Sequence, residues 1–250
     1  MIEPFYPKHL QEVAANLEKI PVRKSQDEIT KMQKYYRTGL QLLGLTVPQQ
    51  RKCFKTGYSF SNLPNHNQIE VWHYIWNSSN VFEHMQQSFF YCESLKTKSE
   101  LTQVWPYVKK WVRKVDNWAH SDALSAIYSR TLDLAPDLVY PTLSKWNKSG
   151  NPWKRRQSIV SLTYYSTLRN NVLPYTEHVE LVTPLLHDKN YYVQKGIGWT
   201  LRELGNVYPQ QTWNFLQENS LHISATAFSA ATEKLEKKQR ELLKEMRRNR

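Results

Sequence analysis

With 250 residues, 40% hydrophobic and 22% charged, the chain has the composition of a globular protein with room for one or two cores. Seven glycines are too few for the turns of an all-β fold or the phosphate loops of a dinucleotide fold, and no run of about 18 apolar residues spans a membrane. A net charge of +12 and a pI of about 9.5 point to a polyanionic partner, nucleic acid before an anionic membrane; the plainer reading is that the charge serves solubility alone.

The opening MIEPFYPKHL lacks the charged-then-apolar order of a secretory signal. SQDEITKMQKYYRTGLQLLGL predicts an amphipathic helix over 25–45, opened by a capping box of Ser25 and Glu28 and stopped by Gly44 and Pro48. A polar connection at 61–68 leads into three further helical stretches, QIEVWHYIW, VFEHMQQSFFYCESL and SELTQVWPYVKKWV. No segment alternates as a strand does. Cys53 and Cys92 make neither a CxxC pair nor a disulfide framework, and are expected as buried, reduced thiols of a cytoplasmic protein. The eight histidines fall in no HExxH or Cys/His spacing, so neither a metal site nor a cofactor is expected.

The second half carries a weak repeat: NWAHSDALSAI (117–127), NPWKRRQSIVSL (151–162) and NYYVQKGIGWTL (190–201), each opening on Asn, a good N-cap. Pro152 takes the first helical position, where its missing N–H costs nothing. The unit lengths fit stacked helix pairs of the HEAT kind. The residues five after each Asn are Asp122, Arg156 and Lys195, and equivalent positions of stacked repeats are expected to line one surface. Trp118 lies one helical turn before Asp122, and Trp199 one turn after Lys195. A core has no use for such a set, because buried unpaired charge is expensive, whereas a concave groove for a charged, planar ligand uses all of it. His120, on another helix face, is expected in solvent or at a turn. Lys109, Lys110, Arg113 and Lys114 form one basic cluster, and Lys154, Arg155 and Lys195 another. The closing EKLEKKQRELLKEMRRNR is expected as a solvated helix with a frayed basic end.

Four segments, KYYRTGLQLLGLTVP (34–48), VDNWAHSD (115–122), NPWKRRQSI (151–159) and YVQKGIGWTLRE (192–203), resemble the DNA alkylation repair family of AlkD-type alkylpurine DNA glycosylases. The resemblance implies an all-α solenoid of HEAT-like repeats with a concave, basic DNA-binding surface. It divides the chain into a single glycosylase domain over 1–222 and a C-terminal helix and basic tail over 223–250. By position, the family's catalytic aspartate corresponds to Asp122 and its flanking tryptophans to Trp118 and Trp199. Its arginine corresponds to Arg156, and a tyrosine near the first helices to Tyr35, with Tyr36 adjacent. Phosphate contacts are expected from Lys114, Lys154, Arg155 and Lys195. The implied activity is release of cationic N3- or N7-alkylated purines from duplex DNA without base flipping, by a monomer in a bacterial-type cytoplasm, associated with the nucleoid.

The chemistry suits these residue types. An alkylated purine that carries a positive charge already leaves well, and the difficult step is the charge gathered by the deoxyribose, which a carboxylate stabilises. Indole faces attract cationic groups, and an arginine fork suits phosphate. No lysine is poised as an amine nucleophile, so a monofunctional enzyme leaving an abasic site is expected rather than a lyase. Two alternatives stand beside it: a relative that lacks catalysis and recognises DNA structure, and a HEAT-type protein scaffold.

Overall fold

Side-chain caps fix where the helices begin. Ser25, Thr46 and Thr97 each close a capping box with the Glu or Gln three residues on. Asn151 accepts from the amides of Trp153 and Lys154, Asn190 from those of Tyr192 and Val193, and Asn117 from that of His120 at 2.8 Å. The three repeat asparagines are therefore N-caps, as the sequence predicts. The computed structural model describes residues 5–248. Among them the chain is all-α, with fourteen α-helices and no strand beyond an isolated bridge between Gln41 and Val81. It divides into two units, residues 1–127 and 128–250, with the division inside the seventh helix.

The first unit holds α1 (Tyr6–Glu18), α2 (Gln26–Tyr36), α3 (Val47–Thr56), α4 (Asn65–Ser78), α5 (Phe82–Ser94), α6 (Lys98–Trp111) and the start of α7 (Trp118–Leu134). Helix α4 packs against α1, α5 and α6, and α3 against α5. Their shared core is aromatic, with Trp72, Trp76, Trp105, Trp111, Phe60 and Phe89 all buried. Trp76 stacks on Trp111 with centroids 5.3 Å apart and donates its indole N–H to the Trp111 carbonyl. Both cysteines are buried and unbridged, as expected.

The helix predicted over 25–45 is shorter than the pattern implied. It ends at Tyr36, and Arg37 takes a left-handed conformation with φ 54°. Residues 38–45 form a loop whose amides are collected by carboxylates. Gly39 donates to Asp116, and Leu43, Gly44 and Leu45 donate to the buried Glu83. Leu40, Leu42 and Leu45 are buried without being helical. The apolar periodicity thus marks burial correctly and helicity wrongly, because the loop's amides find acceptors outside the segment.

The second unit holds the rest of α7, then α8 (Pro136–Asn147), α9 (Pro152–Val160), α10 (Tyr175–Val182), α11 (Tyr191–Val207), α12 (Pro209–Glu218), α13 (Ala225–Ala231) and α14 (Lys237–Arg248). Helix α11 is its axis, packed by α9, α12 and α13. The KGIGW stretch of α11 explains the closeness of that packing. A Cβ on Gly196 would sit 3.3 Å from the Arg156 side chain of α9, and one on Gly198 would sit 2.5 Å from the Ala227 carbonyl oxygen of α13. Two positions apart on a helix, these glycines face opposite neighbours.

The C-terminal helix departs from expectation. Leu243 of α14 is buried, and Arg247 donates to the carbonyls of Ser220 and Ile223 while its guanidinium covers Phe228 at 4.5 Å. Its charged residues surround a docked apolar edge rather than an all-solvated rod. The tail's last two residues lie outside the described range.

Of the three glycines of α11, Gly198 and the open Gly205 give a test of this packing. Gly198→Ala collides with backbone and should destabilise by about 2–3 kcal/mol. Gly205→Ala, whose nearest new contact is 3.8 Å away, should stabilise by about 0.5–1 kcal/mol through helix propensity. Chemical denaturation of the two variants beside the parent reads both signs.

Candidate nucleic-acid interface

Nine tryptophans must be sorted before any is assigned to a ligand. Six are buried, and Trp118, Trp199 and Trp213 are not. The two that the sequence singles out thus fall outside the core set.

In the first unit, Trp118 opens α7 and is half-buried, as is Asp122 one turn later on the same helix. The indole N–H of Trp118 donates to the Tyr35 carbonyl at 3.1 Å. The Tyr35 ring meets Trp118 edge-on, 5.2 Å between centroids at 86°, and is itself 68% exposed. Tyr36 lies 5.5 Å from Trp118 and stacks on Phe82, which stacks in turn on His120 at 4.1 Å. Burial raises the Tyr36 phenol above its ordinary value, and the Glu83 carboxylate adds to the shift. The start of α7 is tied to the loop after α2 through Asp116. Its carboxylate accepts from the Thr38 hydroxyl, the Gly39 amide and the Asn117 side chain, each at 2.8 Å. Trp118 and Tyr35 therefore keep their relation through backbone anchors on both sides.

His120 is not at a turn or in solvent. It is fully buried against Trp76, Phe82 and Phe89. Burial lowers its pKa to about 3, against a smaller opposing pull from Asp116. Two residues after Trp118, it belongs to the aromatic core of the first unit. Lys114 is half-buried, and its ammonium donates to the carbonyls of Asn77 and Ser79 at 2.7 and 2.6 Å, so it closes the end of α4. Burial lowers its pKa.

In the second unit, Trp199 is half-buried on α11. Tyr164 stacks on it at 5.3 Å and 13°, Tyr165 meets it edge-on at 5.4 Å and 74°, and the Arg202 guanidinium lies 5.1 Å from its ring centre. Arg202 is paired with Glu233. Arg156, on α9, is only 4% exposed. Its Nη1 donates to the Tyr192 carbonyl at 2.9 Å, and its side chain runs along Gly196. Arg155 is held in a two-toothed pair with Asp188, at 2.5 and 3.2 Å, and also donates to the carbonyls of Ser149 and Gly150. Lys154 is half-buried, and Lys195 is exposed, with its ammonium 5.9 Å from the exposed Tyr191 ring.

Counting five residues from each cap therefore transfers the caps but not the side-chain environment. Arg156 and Lys195 occupy equivalent positions by number, yet one is buried and the other open. The KRR run is not a solvated face either, since two of its three side chains are engaged within the unit. Sequence reasoning missed Tyr164 and Tyr165 as partners of Trp199, and Asp116, Glu83 and Glu203 as anchors. The signals were present as tandem tyrosines at both 35–36 and 164–165, and as single acids among apolar neighbours in VFEHM and TLREL. Among the described residues, no group of three His, Cys, Asp or Glu side chains is placed to hold a metal ion.

These features define a helical-repeat protein in which each unit sets a half-buried tryptophan among tandem tyrosines. The sequence pattern described as "DNA alkylation repair enzyme" matches residues 17–235, and the chain belongs to that family. Membership gives it a role in DNA repair, with DNA as the implied partner. Among solved structures, a predicted DNA alkylation repair enzyme from Enterococcus faecalis superposes with a TM-score of 0.67 at 16% identity, covering 88% of this chain and all of its own. AlkD2 from Streptococcus mutans superposes at 0.52, also at 16% identity, covering 90% of this chain and 97% of its own. At that identity the likeness establishes the fold. No curated protein matches the chain significantly. No helix among the described residues is long and apolar enough to cross a membrane.

The buried histidine among Trp76, Phe82 and Phe89 sets an acid limit to the fold. Above its ordinary value of about 6.5, His120 is neutral folded and unfolded; below it the unfolded chain takes up a proton that the folded chain refuses until about pH 3. Stability should fall as pH drops from about 6.5, by up to about 1.4 kcal/mol per pH unit for each such histidine, and His84 and His178 shift in the same direction. Urea midpoints between pH 7 and pH 5 should fall less steeply in His120→Gln than in the parent.

Proposed function

We propose that the chain is a monofunctional DNA glycosylase that releases cationic N3- or N7-alkylated purines from duplex DNA without flipping them, and leaves an abasic site. The observation that carries this reading is the placement of Trp118 and Asp122 one turn apart on α7, both half-buried, beside the exposed Tyr35. An indole and a carboxylate at one such surface suit a sugar that becomes a cation.

The alkylated purine carries a formal positive charge, so when its C1′–N bond breaks the bonding pair neutralises it and the base departs without a general acid. Positive charge moves to the deoxyribose, where the Asp122 carboxylate stabilises it. Water then adds to C1′ and gives up a proton, and Asp122 is suited to orient that water. Trp118 offers a flat, electron-rich face worth about 0.5–2 kcal/mol against a cationic or polarised group, and it excludes water on one side of the sugar. In the second unit, Trp199 offers the same kind of face to a nucleotide, and Arg156 contributes a fixed positive charge for phosphate. Lys195 and Lys154 are assigned to the DNA backbone, with Tyr35 at the rim. Arg155 and Lys114 act on DNA through the segments that they hold in place. The enzyme works as a monomer at the nucleoid of a bacterial-type cytoplasm, needs no cofactor, and meets its lesion as part of an intact stack.

Duplex DNA containing N7-methylguanine tests the proposal. The parent protein should free the base, and Asp122→Asn should free it at least about 100-fold more slowly while binding the duplex with similar affinity. Binding without release by the parent would instead assign the chain to the non-catalytic readers of DNA structure. Absence of binding at moderate salt would leave a protein scaffold.

A further inference from the structure

Only two non-glycine residues among those described have a left-handed backbone, Arg37 at φ 54° and Tyr165 at φ 50°. Each lies in or directly after a tandem tyrosine pair that flanks a half-buried tryptophan. Arg37 directly follows Tyr35–Tyr36, beside Trp118; Tyr165 is itself the second member of Tyr164–Tyr165, beside Trp199. A bulky side chain in this region is strained, and such strain persists only where the surroundings enforce it.

At Tyr165 the enforcement is visible. The next residue, Ser166, is buried and donates both its amide and its hydroxyl to the Glu203 carboxylate of α11, at 3.0 and 2.9 Å. Asn206 donates to the Ser166 hydroxyl at 3.1 Å. The backbone is thus locked on its C-terminal side, yet the Tyr165 ring is left 44% exposed, edge-on to Trp199 and 4.7 Å from Tyr164. The turn alone would be served better by Gly or Asn, which tolerate positive φ. A ring held open at that cost is of little use to the core. Tyr35 has the same relation to Trp118, edge-on at 5.2 Å and 68% exposed. Leu168, three residues further on, is 65% exposed, and its amide donates to the Tyr165 carbonyl at 2.9 Å.

We propose that Tyr165 is a DNA-contacting residue whose ring packs on the sugar or base face of a nucleotide beside Trp199, as the counterpart of Tyr35. The inference rests on the reading of the chain as a DNA glycosylase, and it adds a residue that neither the sequence pattern nor the structural likenesses assign. Aromatic faces suit this role because every base and sugar presents a surface that a ring can cover, whatever the sequence.

The test uses the full chain with Tyr165→Gly and Tyr165→Phe, a duplex containing a tetrahydrofuran abasic-site analogue, and thermal melting of each protein. Tyr165→Gly removes the ring and relieves the backbone, so its melting temperature should equal or exceed the parent's while its Kd for the duplex rises at least about fivefold. Tyr165→Phe keeps the ring and should bind within about twofold of the parent. Binding by Tyr165→Gly within about twofold of the parent, or a clear drop in its melting temperature, would overturn the proposal, the latter by making the ring a packing residue. Base release by the parent is read separately. If it is absent while Tyr165→Gly still binds more weakly, the glycosylase reading falls and the contact stands; if the parent does not bind the duplex, both fall.

Discussion

Amides in the connections between helices lack the carbonyl one turn back that satisfies a helical amide, and in both units carboxylates, most of them buried, take them up. Glu83 receives three successive amides at 43–45, Asp133 those of Asn170 and Asn171, Glu203 that of Ser166, and Asp116 that of Gly39. Burial pushes the Glu83 carboxyl up, and the amide donors pull it back. These acids turn loops into fixed parts of the fold. Three of the tyrosines around the two tryptophans adjoin those loops: Tyr35 and Tyr36 precede the segment held by Asp116 and Glu83, and Tyr165 precedes the serine held by Glu203. Without the carboxylates, Tyr165 would sit on a free connection and Tyr35 at an untethered helix end, and the tryptophans would lose their edge-on neighbours.

The same acids alter how the net charge should be read. Glu83, Asp133 and Glu203 are buried, so part of the chain's negative charge is withdrawn from solvent. Some cations are withdrawn with it. Arg155 is spent on Asp188, and Lys114 on the end of α4. Lys195 stays accessible. A basic composition therefore points to a polyanion while saying little about which cations meet it, because long basic side chains serve equally well as clamps for carbonyls in the second unit and in the first.

Much of the fold was legible in the sequence because helix caps are local. The asparagines at 117, 151 and 190, the capping box at Ser25 and Pro152 at a first turn all occupy the positions their chemistry predicts. The early stop of α2 was not legible, since it depends on Asp116 and Glu83, distant in sequence. His120 was misplaced for the same kind of reason: a helical face is known from the spacing, but what packs on it is not, and three aromatic residues from α4 and α5 bury it. Trp118 and Trp199 were singled out by the repeat spacing, and the family resemblance set them apart from the buried tryptophans. Tyr165 lay in plain view as part of a tandem pair, but its left-handed backbone is a tertiary outcome that no periodicity encodes.

The central claim is electrostatic: the Asp122 carboxylate beside the Trp118 face favours a deoxyribose that carries positive charge. The most direct measurement compares binding of two duplexes, one with a cationic pyrrolidine in place of the sugar and one with neutral tetrahydrofuran. The parent should prefer the cation by at least about tenfold, as a site matched to the transition state does, and Asp122→Asn should lose that preference while keeping its affinity for the neutral analogue. Equal affinity of the parent for both duplexes, or a preference that survives the substitution, would contradict the account.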